Sequence, residues 1–314
     1  MKVCFFSHGS GTNQDGATLS MLNVMEELAN RGHEVIGIMA KDVNLEYMKK
    51  IKNVKFYFIP SYDMRLDLSR TGREVELKYF VKNKLNWFIM QRTLKILKNE
   101  NIDIIHINGL NNGIGAMIAQ KLGIPYVWHI RQLMEEDLHQ RLYNQKKVWP
   151  MVKSANAVIA ISKAVKEKFE KEFNREITVV YNGVPVEKYQ INNHSIFDEE
   201  LVKMVLPGRI VEGKGQLEAA KALKYLVDNG IKNVKLILVG HRQSTYAQEV
   251  EEFVEKNDIS SYIEIQEHNA DLRSLRGTCD IGLTCSVKEA FGRVTVENQP
   301  ETWIVSFLVL QVSF

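Results

Sequence analysis

The chain has 314 residues, 45% of them hydrophobic and 25% charged, with a net charge of +3. That length suits two domains of roughly 150 residues each, and the composition is that of a globular chain able to bury a large core without staples. So small a net charge points to neither a nucleic-acid partner nor a strongly acidic one, and three widely spaced cysteines, Cys4, Cys279 and Cys285, exclude a disulfide framework and imply a reducing compartment.

The opening "MKVCFFSHGSG" carries one lysine and then four apolar residues. A signal peptide needs an apolar region of about 7–15 residues, so the segment reads as a first strand. In the loop that follows, Gly11 and Gly16 have P-loop spacing, but Ala17 and Thr18 stand where Lys-Ser/Thr is required. Gly9 and Gly11 begin a dinucleotide fingerprint whose next glycine, Gly16, comes too late, and Asp42 after the second strand keeps a dehydrogenase reading open. Between those strands Leu19, Leu22, Met25, Leu28 and Ala29 keep helical spacing, and Gly32 supplies the stop.

The strands "KVCFFS", "HEVIGIMA", "VKFYFI", "IDIIHIN", "PYVWHI", "NAVIAIS" and "ITVVYN" are too apolar to alternate, which implies burial on both faces. Strand then helix, repeated, predicts a parallel sheet with helices on its faces. Residues 65–98 interrupt this rhythm with nine cations, Arg65, Arg70, Arg73, Lys78, Lys82, Lys84, Arg92, Lys95 and Lys98, against Asp67, Glu74 and Glu76. Leu77, Val81, Leu85, Phe88 and Ile89 form an apolar stripe there, with Trp87 beside it. One reading is a helix facing the core with a solvated basic face. The other is peripheral attachment to an anionic membrane. His106 lies within a strand and reads as a satisfied core residue or a support for a neighbouring group. His129 ends a strand at its carboxyl edge, where such sheets bind ligands, and is a catalytic candidate.

Residues 182–201 hold Gly, Pro and several Asn with little periodicity and read as a linker. The alternation then restarts through "LVKMVLPGR", "VKLILVG", "SYIEIQ" and "IGLTCS", a second doubly wound unit. Two such units place a cleft between the carboxyl ends of both sheets. In "VLPGRIVEGKGQLEAAKAL" a strand ends at Leu206, Gly208, Gly213 and Gly215 follow, and a helix starts near Gly215. Arg209 and Lys214 flank that loop and suit a diphosphate at a helix N-terminus, though a solvated basic loop looks the same in sequence. "TCSVKEAFGRVTVE" also runs from strand through loop toward a helix expected near Gly292. Its free amides suit phosphate oxygens; Glu297 can accept from both hydroxyls of a cis-diol, and Glu289 from sugar hydroxyls.

The pair "GRIVEGKG" and "EAFGRVTVE" resembles the donor-site signature of the GT-B fold glycosyltransferases, in particular the large retaining family 4. "NRGHEV", "VVYNGV" and "DLRSL…CDIGLTCS" fit in order, so the likeness covers residues 1 to about 298. It implies an α/β fold of two doubly wound, Rossmann-like domains facing a cleft: an acceptor-side domain 1–181, the linker 182–201 and a nucleotide-sugar domain 202–299. By the same resemblance Arg209 and Lys214 hold the donor diphosphate and stabilise its departing charge, Glu297 holds the ribose and Glu289 contacts the donor sugar. The backbone of Phe291, Gly292 and Arg293 meets the phosphate, Gly16 approaches the donor phosphates, and His129 is the active-site histidine. The implied partners are a nucleotide-diphosphate sugar as donor, without a cofactor or dedicated metal, and a glycan or lipid-linked acceptor, in polysaccharide or glycoconjugate synthesis. Asp-x-Asp, the motif of metal-dependent relatives, is absent from the sequence. The expected location is cytoplasmic, with peripheral contact at the inner membrane face through residues 65–98. Two alternatives stay open: a nucleotide-sugar epimerase of the same fold, and an inactive remnant that only binds nucleotide or a partner.

After Gln299 the resemblance stops. Trp303–Phe314 is twelve residues without a charge, short of the ~20 that span a bilayer. The reading is a truncated or frameshifted frame, which leaves the second domain incomplete and residues 300–314 outside the fold. A membrane-dipping tail is the other reading.

Overall fold

The computed structural model describes residues 1–7, 16–40, 48, 51–183, 197, 200–241, 245–267, 272–286, 289–292 and 304–307. Gly9, Gly11, Asp42, Arg293 and Glu297 lie outside the described residues, as does most of the 182–201 segment. The chain divides into two compact units, Met1–Gly183 and Val184–Phe314.

The first unit is a seven-stranded parallel sheet. Its strands are β1 (Lys2–Phe6), β2 (Glu34–Met39), β3 (Val54–Phe58), β5 (Ile104–Asn108), β6 (Tyr126–Ile130), β8 (Ala157–Ala160) and β9 (Thr178–Val179), in the order β3-β2-β1-β5-β6-β8-β9. Burial on both faces explains the apolar runs of the inner strands, but not of the edges: β3 has no fully buried residue, and Val180 and Tyr181, just past β9, are exposed. On one face Val3, Phe5 and Val35 pack on Met21, Leu22 and Met25 of α1 (Gly16–Asn30). On the other, Phe6 and Ile107 lie against Gly115 of α3 (Ile114–Leu122). A two-stranded antiparallel ribbon, β4 (Arg65–Asp67) with β7 (Gln140–Leu142), was not legible, because three-residue strands are too short to show a period.

The second unit repeats the plan. Strands β10 (Val202–Pro207), β11 (Val234–Val239), β12 (Ile263–Gln266), β13 (Ile281–Thr284) and β14 (Ile304–Phe307) form a parallel sheet in the order β12-β11-β10-β13-β14. Period-two alternation divides its core: Leu206, Leu236 and Leu238 meet α7 (Gln216–Asp228) and α8 (Thr245–Lys256) on one face, while Val205, Ile237 and Val239 meet Cys279 and Leu275 on the other.

Two expectations are corrected. Leu77, Val81, Leu85 and Phe88 do not face the core: all four are exposed on α2 (Arg73–Leu97), and only Ile89 of the stripe is half-buried. The buried side is Asn86, Met90, Thr93 and Leu97, at helical spacing. Its polar members are satisfied there. Asn86 accepts from the Tyr62 amide at 2.8 Å and donates to the Tyr62 carbonyl at 2.8 Å, and Thr93 Oγ1 donates to the Ile89 carbonyl at 2.8 Å. A hydrogen-bonded polar pair has thus taken the place that hydrophobicity alone assigned to leucine. The second correction concerns residues 300–314, read as outside the fold. Within them Ile304–Phe307 pairs in parallel with β13, Ile281 opposite Ile304 and Thr284 opposite Phe307, and covers an edge whose backbone groups need partners.

The cysteines are all free and buried. Burial pushes the Cys279 and Cys285 thiols up to about 11, and Cys4 higher still. Among the described residues no helix is long and apolar enough to cross a membrane.

Candidate active site

In the second unit the chain leaves β10 toward β11 on one side and β13 lies on the other, so the strand order reverses between β10 and β13. Open parallel sheets bind ligands outside the carboxyl ends of the strands at such a point. The two loops that leave there, 208–215 and 285–292, are the two that carry the glycines and charges noted in the sequence.

The structure brings Lys214 and Glu289 together. Lys214 Nζ lies 2.8 Å from Glu289 Oε1, with side chains only 18% and 30% exposed. Ser286 Oγ donates to the same carboxylate oxygen at 2.6 Å. Partial burial leaves this pair less screened than a surface ion pair, an advantage set against the desolvation of both charges, and the hydroxyl fixes the carboxylate's direction. The floor is set by close packing of the two loops. Gly215 is the N-cap of α7 with φ +78°, and a Cβ there would sit 2.3 Å from the Cys285 carbonyl oxygen. Only glycine gives both that backbone angle and that approach. A recess of about 130 Å³ results, lined by Pro207, Gly208, Lys214, Gln216, Thr284, Ser286 and Glu289 among others.

Gln216, at the first turn of α7, was missed in the sequence. It is 1% exposed; its Nε2 donates to the Arg209 carbonyl at 3.0 Å, while its Oε1 is buried without a partner. Gln216 therefore pins the backbone of the 208–215 loop and contributes to the lining of the recess. Arg209 itself is exposed and does not line the recess. Phe291 is half-buried, and Gly292 is buried at φ +70°. Ser286 was missed as well; its only sequence signal is a hydroxyl three residues before Glu289.

Gly16 and His129 belong to the first unit. Gly16 opens α1, and Ser20 Oγ donates to its carbonyl at 2.8 Å. His129 is in β6 and only 6% exposed. Its Nδ1 lies 3.3 Å from Nε2 of His106 on the adjacent strand. Burial, and then the positive charge of Arg131, hold both imidazoles below the usual histidine range, His106 at about 3. Two neutral rings in contact share one N–H, so the tautomer of His129 is tied to that of His106. Its Nε2 is buried without a partner, as is Nδ1 of His106. Arg131, 5% exposed, is a further residue the sequence reading passed over. It contacts Asn108 Oδ1 and donates to Asn182 Oδ1 at 2.7 Å, and Asn108 Nδ2 donates to the Ala17 carbonyl at 3.4 Å. This links the start of α1 to the edge of β6, on either side of the reversal point between β1 and β5.

Comparison with known proteins places the chain and its fold. A family model described as Glycosyltransferase Family 4 matches residues 14–188, and one described as Family 4 Glycosyltransferase in conflict systems matches residues 128–299. The uncharacterized glycosyltransferase MJ1178 of Methanocaldococcus jannaschii is 26% identical over 211 residues, 65% of this chain and 55% of that protein, so the match spans little more than half of the relative. Among solved structures, a glycosyltransferase from Rickettsia africae aligns with a TM-score of 0.74 at 18% identity, over 98% of this chain and 78% of its own. Anabaena Alr3699/HepE in complex with UDP and glucose aligns with a TM-score of 0.72 at 19% identity, over 95% and 78%. The chain therefore belongs to glycosyltransferase family 4, and its two Rossmann-like units are those of the GT-B fold.

Proposed function

We propose that the protein transfers a sugar, with retention, from a nucleotide-diphosphate sugar to a glycan or lipid-linked acceptor, as a cytoplasmic protein working at the inner face of a membrane in polysaccharide or glycoconjugate synthesis. The Lys214–Glu289 ion pair at the reversal point of the second sheet carries the reading. The complexes of the Anabaena protein with UDP and with UDP-glucose give it support by analogy of fold. Donor binding then exchanges partners. Phosphate oxygens take Lys214 Nζ, with Arg209 at the mouth, and Glu289, released but still held by Ser286, accepts from sugar hydroxyls. As the bond to the sugar breaks, negative charge grows on the diphosphate, and cations already in place stabilise it without reorganising.

Titration calorimetry with nucleoside diphosphates tests this. Loss of a charged partner costs roughly 1.5–3 kcal/mol, so Lys214→Ala or Arg209→Ala should weaken binding about tenfold or more. Glu289→Gln removes the carboxylate that competes for Lys214 in a largely buried pair, a net contribution of roughly 1 kcal/mol, and should tighten free diphosphate about fivefold while lowering sugar transfer. Unchanged affinity in all three variants would refute the assignment.

A further inference from the structure

We infer that the outward face of α2 is a docking surface for an anionic lipid bilayer. Six large apolar side chains, Leu77, Phe80, Val81, Leu85, Trp87 and Phe88, are between 38% and 65% exposed on this one helix. Five of them, at 77, 80, 81, 85 and 88, follow helical spacing and so form one stripe; Trp87 stands at its margin, its ring edge-on to Phe88 at 5.0 Å. Scattered exposed leucines need no explanation, but a contiguous stripe marks a surface that another phase or molecule covers. The helix cannot turn this stripe inward, because its inner side is already committed through Asn86, Met90, Thr93 and Leu97.

Charge decides what covers it. From Leu77 to Lys98 the chain has six cations and no carboxylate. Lys82 is engaged with the protein, its Nζ donating to the Asp63 carbonyl at 3.3 Å over the Tyr79 ring. The other five, Lys78, Lys84, Arg92, Lys95 and Lys98, are exposed, and none is in an ion pair among the described residues. Lys84 lies amid the stripe itself, 5.5 Å above the Phe80 ring. Protein–protein interfaces deplete lysine at their centres, where it must be desolvated. A headgroup layer instead gives each ammonium a phosphate and water while the rings enter the acyl boundary. At 25 residues the helix is about 37 Å long, and with its charges it lies in the interface rather than crossing it.

This deepens the proposed site of action at a membrane face, and rests on it only for the choice of acceptor. The full chain is sedimented with vesicles of phosphatidylglycerol and phosphatidylcholine, or of phosphatidylcholine alone, without any nucleotide. Binding is expected to the anionic vesicles only, and to fall as salt is raised. Phe80→Ser with Phe88→Ser, and separately Lys84→Gln with Arg92→Gln, should each lower partitioning about tenfold. The four side chains are exposed, so circular dichroism should stay that of the parent, and the charge pair serves if the phenylalanine pair does not fold. Wild-type protein that ignores anionic vesicles, or variants that bind as it does, would overturn the inference. So would a wild-type dimer that Phe80→Ser with Phe88→Ser makes monomeric, which would make the stripe a protein interface. Vesicle binding without diphosphate binding would uphold this surface and sink the transferase reading; the converse would overturn the surface alone.

Discussion

Two histidines buried as neutral rings make the protein sensitive to acid. The unfolded chain takes up protons on them as pH falls through the ordinary histidine value of 6.5, while the folded chain takes them only much lower, His106 at about 3. The unfolded state then binds more protons, so stability is full above pH 6.5 and falls as pH drops below it. The loss approaches about 1.4 kcal/mol per pH unit for each ring. Urea unfolding between about pH 6.5 and 5, above the carboxylate range, should show this slope and a flatter one in the His106→Gln, His129→Gln double variant. Equal slopes would mean that the rings are not buried neutral. In the sequence His129 was visible as the last histidine of a strand edge, and Lys214 and Glu289 as charges on glycine-bearing loops. What pairs with each was not visible. His106 and His129 are 23 residues apart, and Lys214 and Glu289 are 75 apart; in each case the partner depends on which strands lie side by side. Gln216 gave no signal, because its role comes from burial at a helix start.

At the level of elements, the junction of the 208–215 loop with α7 governs the recess. Gly215→Ala would force a left-handed residue against the Cys285 carbonyl. The expected cost is about 1–3 kcal/mol, seen as a lower urea midpoint, together with weaker diphosphate binding because the loops must part. An alanine variant with parental stability and affinity would show that the loops are not locked together. The strands themselves were legible from apolar runs, since strands buried on both faces need no alternation. The orientation of α2 was not, because leucine content named the wrong face. Asn86 and Thr93, polar but satisfied within the fold, set the inner side. Which side of an amphipathic helix is buried depends on what its neighbours present to it, here Tyr62 and the helix Ile114–Leu122, and the helix's own sequence does not contain that.

At the level of the whole molecule, β14 ties residues near 304–307 to the sheet that bears the recess. A chain ending at Gln299 would leave the outer edge of β13 unpaired. Net loss of about 1 kcal/mol for each ladder hydrogen bond should lower the melting temperature of the second unit by several degrees, read by calorimetry. Unchanged melting would restore the reading of residues 300–314 as foreign to the fold. The two-unit plan and both parallel sheets were legible because the strand–helix rhythm simply restarts after the 182–201 segment. The tail was not, because a short uncharged run reads alike as an edge strand or as a stray end. The three thiols have a practical consequence. All are sealed in the cores and held protonated, so maleimides should pass them by. A cysteine introduced at exposed Lys121 in one unit, with another at exposed Glu249 in the other, can carry a pair of fluorophores without first removing any native thiol. The native sequence is thus ready for single-molecule distance measurements between its halves, with and without a nucleotide in solution.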